Sequence, residues 1–330
     1  MTFAYSQMPL DRCSNERKNK AWLKTEFNKA NALFCLINNG MCFFKSNEIV
    51  PFYLKKAQLL TLKIDQCIFL GRSEQGAIFA VDQNKLRFSS QEELLTLGQW
   101  LSLRQNTALL SAFDASTLAL AKGLVHWHKS HQFCGQCGSL NRSAEAGHAR
   151  KCTECRNMSF PRTDPAVIML VERMFSDGVS RCLLGRQASW PDGVYSTLAG
   201  FVDPGETLEA AVIREIQEES AIMAENPTYI ASQPWPFPAS IMLGFIAQAS
   251  SEDIDTRQDS LESAQWFSRE QIANFAINSS VINTEGLQDN LSEHSAQSSK
   301  KVTPQYKMSS SDSISSYLIT AWLNKEIGEY

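Results

Sequence analysis

Residues 200–222 read Gly-Phe-Val-Asp-Pro-Gly-Glu-Thr-Leu-Glu-Ala-Ala-Val-Ile-Arg-Glu-Ile-Gln-Glu-Glu-Ser-Ala-Ile and combine a turn with a helical pattern. The Asp-Pro-Gly at 203–205 is a turn sequence, so a helix is predicted to follow it, over 208–219. Apolar residues recur at the i, i+3, i+4 and i+8 positions of that helix. They define a buried stripe: Leu208, Ala211, Val212 and Ile216.

Another face of the same helix is crowded with carboxylates. Glu215, Glu218 and Glu219 stand at i, i+3 and i+4, a spacing at which like charges repel. A hard divalent cation such as Mg²⁺ resolves that repulsion, because it binds carboxylate oxygens and leaves positions for phosphate oxygens and water. Arg214 lies four residues before Glu218 and eight after Glu206, so its planar guanidinium can neutralise and orient a carboxylate. The alternative is a solvated acidic face with an ordinary Glu–Arg pair, but the flanking glycine and turn favour a metal site.

Length and charge restrict the class of protein. A chain of 330 residues suits two or three domains, and its formal net charge of −4 lacks the basic excess that binding of long nucleic acid requires. The first residues carry no apolar segment of secretory length, and no run approaches the roughly 18 apolar residues of a membrane span. We therefore expect a cytoplasmic protein with no membrane partner. Five scattered cysteines fit a reducing compartment: Cys13, Cys35, Cys42, Cys67 and Cys182.

The other four cysteines form two knuckles, Cys134-x-x-Cys137 and Cys152-x-x-Cys155, separated by fourteen residues. Zn²⁺ prefers four soft ligands in a tetrahedron, and two such turns supply them. Two disulfides or four unrelated thiols are the alternatives, and the duplicated knuckle in a reducing compartment counts against both. Because four thiolates complete the coordination shell, the predicted zinc is structural. A zinc ribbon is also a common nucleic-acid-binding or protein-binding module, so it is weak evidence for function.

The rest of the chain divides by composition. We predict an N-terminal α+β domain at 1–128, a zinc ribbon at 129–160 and a C-terminal domain at 161–330 with a flexible insert at about 278–312. Further predicted elements are a helix from Ala115 to about His128 with Asp114 as its N-cap, strands at 167–171 and 241–247, and a closing helix at 314–326.

Residues 232–240 read Ser-Gln-Pro-Trp-Pro-Phe-Pro-Ala-Ser. Three prolines interleaved with two aromatics exclude a helix and a central strand, so a stiff, extended loop is predicted. Such a loop has little conformational entropy to lose and is suited to presenting groups to a ligand. Taken alone, it is equally compatible with a proline-rich partner ligand or a packed loop. We refer to 232–240 as the proline-aromatic segment.

Together these segments resemble the NADH pyrophosphatase subfamily of Nudix hydrolases. The zinc ribbon precedes the Nudix box and the proline-aromatic segment follows it, as in that subfamily; the resemblance covers roughly 115–277 and the final helix. The box positions that match are Gly200, Glu206, Arg214, Glu215, Ile216, Glu218, Glu219 and Ile222, and the departure is Ala221, where the family usually has glycine. The resemblance implies an α/β (α+β) fold, with a Nudix-type mixed sheet sandwiched by helices, preceded by a zinc ribbon and an N-terminal α+β domain.

The resemblance also implies roles for the box residues. Glu215, Glu218 and Glu219 would bind Mg²⁺ or Mn²⁺, with Glu219 as ligand or general base. Arg214 and Glu206 would organise the loop and helix.

Substrate contacts are implied at four positions. Phe201 would stack on a base of a dinucleotide, and Gln233 and Ser240 would help to hold it. Phe160 stands where the family commonly has tyrosine, which preserves stacking and loses the hydroxyl.

One metal-binding position departs from the family. A further metal-binding glutamate usually lies six residues before Trp266, and here that residue is Ser260. Asp259 and Glu262 are the neighbours that could substitute for it.

The implied activity is metal-dependent hydrolysis of the pyrophosphate bond of NADH and NAD⁺, which releases nicotinamide mononucleotide and AMP. The alternative is removal of the NAD cap from RNA 5′ ends by the same chemistry. A non-catalytic nucleotide-sensing module is the hypothesis from another class, and the intact box carboxylates count against it. We expect a homodimer in which 1–128 is a structural or dimerising domain, with a small-molecule dinucleotide or an NAD-capped RNA as partner.

Overall fold

The computed structural model describes residues 3–8, 10–59, 61–86, 91–257, 260–279 and 306–329. The chain separates into two compact units. We call Thr2–Asp164 with Gln233–Ile241 the N-terminal unit, and Pro165–Ser232 with Met242–Tyr330 the C-terminal unit. The predicted ribbon lies in the N-terminal unit, and so does most of the proline-aromatic segment. The boundaries predicted between the three domains remain a prediction.

The N-terminal unit contains two sheets with associated helices. Its strands are β1 (Leu33–Asn38), β2 (Met41–Lys45), β3 (Leu54–Lys55), β4 (Cys67–Ser73), β5 (Gly76–Asp82), β6 (Gly98–Ser102), β7 (Asn141–Ala144), β8 (Ala149–Cys152) and β9 (Met158–Ser159). Its α-helices are α1 (Lys20–Asn28), α2 (Gln91–Leu97), α3 (Leu103–Asn106) and α4 (Ala112–Ser130). The larger sheet has the order β4-β5-β1-β2-β6, with β3 on β1, and the ribbon strands form a separate sheet in the order β7-β8-β9.

Strand β1 is buried on both faces, which explains its unbroken apolar sequence. Successive side chains of a strand point to opposite faces, so Cys35 packs in one core cluster and Phe34 in another. Helix α4 covers the first of these cores with Leu118 and Leu124. On the second face, Phe34 stacks on Phe79 with ring centroids 5.3 Å apart.

The predicted start of α4 is wrong by three residues. The N-cap is Ser111, whose hydroxyl oxygen accepts a hydrogen bond from the Asp114 backbone N–H at 3.0 Å. Asp114 lies in the first turn instead, where a negative charge interacts favourably with the helix dipole.

The C-terminal unit is built on a second large sheet. Its strands are β10 (Asp164–Met174), β11 (Ser180–Gln187), β12 (Val194–Tyr195), β13 (Leu198–Phe201), β14 (Ala224–Trp235), β15 (Ser240–Ala249), β16 (Leu261–Ser268) and β17 (Lys307–Met308). Its helices are α5 (Leu208–Ser220), α6 (Arg269–Ser279) and α7 (Ile314–Leu323). The sheet order is β14-β15-β10-β11-β16, with β13 paired to β10, while β12 and β17 form a separate pair.

Helices lie on both faces of this sheet, as predicted. Val167, Met169 and Val171 of β10 share a core cluster with the buried stripe of α5. On the opposite face of β10, the Glu172 carboxylate accepts a hydrogen bond from the Trp322 indole of α7 at 2.9 Å. The chain therefore has the predicted α/β sandwich, and the stripe predicted for α5 is confirmed: Ala211, Val212 and Ile216 are fully buried and Leu208 packs against them.

Two predicted segments need correction, and a third lies largely outside the described residues. The first half of the proline-aromatic segment is not a loop, because β14 continues through Trp235; it is an edge strand, where proline is tolerated. The closing helix ends at Leu323 and not at 326. Most of the predicted insert, 280–305, lies outside the described residues. Across the described ranges, no helix is long and apolar enough to span a membrane.

Candidate active site and zinc ribbon

The box helix α5 starts from a short turn that the sequence encodes. The Glu206 backbone N–H donates to the Asp203 carbonyl at 3.1 Å, and Gly205 adopts a left-handed φ of +91° that favours glycine. Thr207 is the N-cap, and its hydroxyl accepts from the Ala210 backbone N–H at 3.2 Å. The turn thereby delivers Glu206 to the side of the helix that carries Arg214.

Arg214 is the centre of this cluster. Its Nε and one terminal nitrogen donate to the two carboxylate oxygens of Glu206, each at 2.8 Å. The other terminal nitrogen donates to Glu215 at 2.8 Å and to Glu218 at 2.9 Å. A fifth hydrogen bond, at 2.8 Å, goes to the backbone carbonyl of Phe201. These hydrogen bonds form one network that joins β13, the turn and α5, and the organising role of Arg214 and Glu206 stays a prediction.

The network fixes protonation states as well as positions. Hydrogen bonds from Arg214 and from the Asp203 backbone lower the pKa of Glu206 to about 2. The Glu206 carboxylate in turn raises the pKa of Arg214 above its ordinary value. Both groups stay charged over the whole physiological range, so the loop remains closed against the helix.

Gly200 is required by the position of Glu215. A Cβ atom built on Gly200 would overlap the Glu215 carboxylate group. Any side chain at 200 would therefore displace Glu215 from its place beside β13. The sequence motif includes Gly200, but this steric reason is a contact between two elements and is not contained in the local sequence.

The three box carboxylates differ in exposure. The Glu215 side chain is 14% exposed, Glu218 is 57% exposed, and Glu219 is a buried residue at 6%. Among the described residues, the ribbon cysteines are the sole group of three or more His, Cys, Asp or Glu with ligand atoms all within 4.8 Å of one another. The three glutamates lie on about one turn of α5, but their carboxylate oxygens are not all within 4.8 Å of one another. Carboxylate oxygens on a single turn remain a donor set that fits a hard divalent cation.

Ala221, the one departure from the box, takes the conformation for which the family uses glycine. It caps the C-terminus of α5 with φ +59° and ψ +10°, in the left-handed region. Its backbone N–H donates to the Gln217 carbonyl at 2.8 Å. The methyl group is accommodated, and no carboxylate of the box is altered.

The two candidate stacking residues are both available to a ligand. Phe201 is 60% exposed and belongs to the C-terminal unit, and Phe160 is 57% exposed and belongs to the N-terminal unit. Each ring presents a face to solvent on which a base could stack.

Gln233 and Ser240 have different environments. Gln233 has no exposed surface, and its side-chain amide donates to the Ala4 carbonyl at 3.2 Å. Ser240 lines a cavity of about 520 Å³ inside the N-terminal unit, together with Trp235 and two arginines, Arg12 and Arg162. These arginines were not found from the sequence, because Arg12 and Trp235 are more than two hundred positions apart.

At the position of the missing outlying glutamate, Ser260 is exposed. Glu262, one of the two possible substitutes, forms an ion pair with Arg186 at 2.9 Å. Asp259, the other, lies outside the described residues.

The four ribbon cysteines converge as predicted. All four Sγ atoms lie within 4.8 Å of one another, and Cys137 is 3.4 Å from Cys152 and 3.5 Å from Cys155. Zn–S bonds of about 2.3 Å in a tetrahedron place sulfur atoms roughly 3.8 Å apart, so the donor set fits Zn²⁺. A backbone hydrogen bond from Ser139 lowers the pKa of Cys137 to about 6, which favours the thiolate that a metal needs.

Two histidines connect the ribbon region to α4 and to β4. His128 Nε2 donates to the Gly147 carbonyl at 2.7 Å, which leaves Nδ1 to accept from the Arg150 guanidinium at 3.0 Å. His148 Nε2 donates to the Phe69 carbonyl at 2.6 Å. Burial lowers the pKa of both histidines to about 4, so they are neutral packing residues and not zinc ligands.

Comparison with protein families gives three matches in order along the chain. Residues 31–127 match an NADH pyrophosphatase-like rudimentary NUDIX domain, 129–160 match the NADH pyrophosphatase zinc ribbon domain, and 162–283 match the NUDIX domain.

Three similar proteins illustrate the relationship. Human NAD-capped RNA hydrolase NUDT12 is 42% identical over 167 residues, which are 48% of this chain and 36% of that protein. NAD-capped RNA hydrolase NudC of Deinococcus radiodurans is 43% identical over 169 residues, 51% of this chain and 60% of the relative. The mitochondrial NAD(P)H pyrophosphatase NUDT13 of Mus musculus is 39% identical over 222 residues, which are 64% of this chain and 62% of that protein. The matched regions span less than two thirds of each relative. Box and ribbon lie within these matches, so the chain carries a NUDIX domain preceded by a zinc ribbon and a rudimentary NUDIX domain of the NADH pyrophosphatase type.

Proposed function

We propose that this protein hydrolyses the pyrophosphate bond of NADH and NAD⁺ to nicotinamide mononucleotide and AMP. The observation that carries the proposal is the Arg214 network, which holds Glu206, Glu215 and Glu218 at the end of β13 and along α5. A cluster of fixed carboxylates beside an exposed aromatic ring suits a metal-bound diphosphate with an attached base. The names of the three relatives supply the substrate class.

The residues that would hold Mg²⁺ or Mn²⁺ are Glu215, Glu218 and Glu219. When bound, such ions neutralise the diphosphate and lower the pKa of a coordinated water. Glu219 is 6% exposed, so its carboxylate is largely shielded from bulk water, and we assign it the role of orienting or deprotonating the attacking water. Arg214 would hold the Glu215 and Glu218 carboxylates in position through its hydrogen bonds while the substrate binds.

The exposure of the four candidate side chains suggests which of them could contact the substrate. Phe201 and Phe160 offer faces on which a base or a nicotinamide ring can stack. Ser240 would reach the ligand through the cavity that it lines. Gln233 is fully buried, so we assign it a positioning role through its hydrogen bond to Ala4.

The second candidate is removal of the NAD cap from RNA by the same chemistry. The names of NUDT12 and of the Deinococcus protein favour it, since both are described as NAD-capped RNA hydrolases. A non-catalytic nucleotide-sensing module is disfavoured by the intact carboxylates. A homodimer and a cytoplasmic location complete the proposal; sedimentation velocity of the purified protein and imaging of the tagged protein in cells test them.

Turnover tests the proposal directly. NADH, NAD⁺ and an NAD-capped RNA would be incubated with the protein in Mg²⁺ and in Mn²⁺, and release of AMP or of 5′-monophosphorylated RNA measured. We expect cleavage, and we expect Glu219→Gln to lose at least about 100-fold in kcat. Glu209→Gln is the matched control, because Glu209 is an exposed residue of the same helix. A wild-type protein that cleaves none of these compounds would contradict the proposal and favour the binding module instead.

A further inference from the structure

One face of the zinc ribbon carries a line of apolar and basic side chains. In the antiparallel ribbon sheet, Arg142 of β7 is directly opposite Lys151 of β8, and Lys151 is opposite Met158 of β9. Residues opposite each other in a sheet project from the same face, and so do residues two positions apart in one strand. Leu140 therefore shares the face of Arg142, and it is bridged to Phe133. We call Phe133, Leu140, Arg142, Lys151 and Met158 the ribbon strip.

The ribbon strip is open to solvent. Phe133 is 65% exposed and Leu140 is 48% exposed, and Arg142 and Lys151 are both exposed. The opposite face is the buried one, since Asn141 and Cys152 form the neighbouring pair and both are buried. A ring as exposed as that of Phe133 contributes little to the core of the ribbon.

The two cations of the ribbon strip are in an unfavourable arrangement. Like charges directly opposite each other on a sheet destabilise the pair. Within the described ranges, neither Arg142 nor Lys151 has a carboxylate within ion-pair distance. The arrangement is relieved when a polyanion with closely spaced charges lies across both side chains.

We propose that the ribbon strip binds the first nucleotides that follow the NAD cap of a capped RNA. This inference rests on the proposed function and specifies how its RNA substrate is held. Single-stranded nucleic acids are recognised by cations that track the phosphates and by aromatic rings on which bases stack. Arg142 and Lys151 supply the cations, and Phe133 supplies the ring.

The position of the ribbon strip along the chain agrees with this assignment. Phe160, the candidate stacking residue for the dinucleotide, follows Met158 by two residues at the end of β9. A strand of RNA that leaves a ring held at Phe160 would meet Lys151 and Arg142 on adjacent strands, about 5 Å apart from one another in a sheet. A footprint of two charges is also compatible with a chain whose net charge is −4.

The test compares two substrates that share the same scissile bond. The variant Arg142→Ala/Lys151→Ala would be assayed on free NADH and on an NAD-capped RNA of ten nucleotides, at several salt concentrations. Each phosphate contact to a single strand contributes about 0.7 to the slope of log K against log salt. Loss of both contacts should make this slope shallower by about 1.4. It should also lower kcat/KM on capped RNA by about 25-fold at 0.1 M salt. Turnover of NADH should be unchanged, since NADH has no nucleotides beyond the cap.

Two further variants make the result specific. Phe133→Ala should weaken the binding of capped RNA and leave the slope of log K against log salt unchanged, because stacking is not ionic. Lys20→Ala/Lys24→Ala removes two exposed charges from α1 and should change neither substrate. If the ribbon variant cleaves NADH and capped RNA as well as the wild type does, the strip does not bind RNA and a protein partner is the occupant to seek. If the wild type cleaves neither substrate, the proposed function itself fails.

Discussion

At the scale of single residues, some box positions carry polar side chains and others provide the space in which those side chains lie. Gly200 belongs to the second group, because its missing side chain is the space in which the Glu215 carboxylate lies. A motif match treats Gly200 and Glu215 as two independent positions. In the fold they form one interaction, so a change at either should have the same consequence.

Gly200→Ala should lower kcat by about 100-fold, because a shift of roughly 1 Å in a catalytic carboxylate has an effect of that size. The protein should still fold, since the overlap is with a side chain that can move. Gly135→Ala is the matched control: the new methyl group would have open space within 4 Å, and turnover should be unaffected. Full activity of Gly200→Ala would show that Glu215 is not needed where the structure places it.

Ala221→Gly should stabilise the protein. Left-handed backbone costs an L-residue about 1 kcal/mol, and Ala221 has φ +59° at the C-terminus of α5. The denaturation midpoint of the C-terminal unit should rise with an unchanged m-value. Ala210→Gly makes the same chemical change inside α5 and should lower the midpoint, because glycine is less favourable than alanine within a helix. Midpoints that move in the same direction for both variants would contradict this account.

At the scale of elements, the Arg214 network couples the turn before α5 to the helix itself. Its strength depends on an ionised Glu206, whose pKa the arginine lowers to about 2. A lowered carboxyl pKa means that the folded state holds the proton less tightly than the unfolded chain does. The stabilisation is therefore complete above the unfolded pKa of about 4.3 and is lost as pH falls towards the folded value.

Glu206→Gln should accordingly be less stable than the wild type at neutral pH, with a difference that shrinks as pH falls below about 4.3. Urea midpoints of both proteins between pH 7 and pH 3 measure this. Glu209→Gln, which removes an exposed carboxylate from the same helix, should show no such trend. A Glu206→Gln deficit that stays constant down to pH 3 would rule out the ionic contribution.

The ribbon element makes a separate prediction about thiol reactivity. Burial raises the pKa of Cys42 to about 12 and that of Cys13 to about 11, and Cys35, Cys67 and Cys182 are shifted in the same direction. These five thiols should resist a thiol reagent until the protein unfolds. The four ribbon cysteines should resist it only while zinc is bound, so a chelator should release four reactive thiols and denaturant five more. Fewer than four after chelation would mean that zinc is not held by the cysteine set.

Elements formed by local pattern could be predicted from the sequence, and contacts between distant segments could not. The apolar stripe of α5 and the duplicated knuckles are local, and both are found where expected. Ser111 and Asp114 are both good N-caps three residues apart, so local chemistry alone did not decide where α4 starts. The carboxylate set could be predicted from its spacing, but the hydrogen bond from Arg214 to the Phe201 carbonyl depends on the fold.

At the scale of the whole molecule, the proline-aromatic segment is part of the N-terminal unit although it lies far along the chain. Trp235 and Phe237 pack against the core cluster that α4 covers, with Phe237 edge-on to Tyr5 at 6.0 Å. Arg104 lies over the Trp235 ring at 5.3 Å, and Lys122 lies over the Phe237 ring at 4.8 Å. The segment that marks the subfamily in sequence therefore also has a structural role in the core of the N-terminal unit.

Phe237→Ala should therefore destabilise the N-terminal unit. Removal of a half-buried ring with aromatic and cationic neighbours should lower its free energy of unfolding by about 2 kcal/mol. Hydrogen exchange of the α4 amides should become faster by about 30-fold, while that of the α5 amides should not change. Tyr229→Ala is the matched control, because Tyr229 packs edge-on to Phe245 within the C-terminal unit and its loss should leave α4 exchange unaltered. Unchanged exchange of the α4 amides in Phe237→Ala would mean that the proline-aromatic segment serves only the ligand. Faster exchange together with normal NADH turnover would show that the segment stabilises the N-terminal unit independently of catalysis.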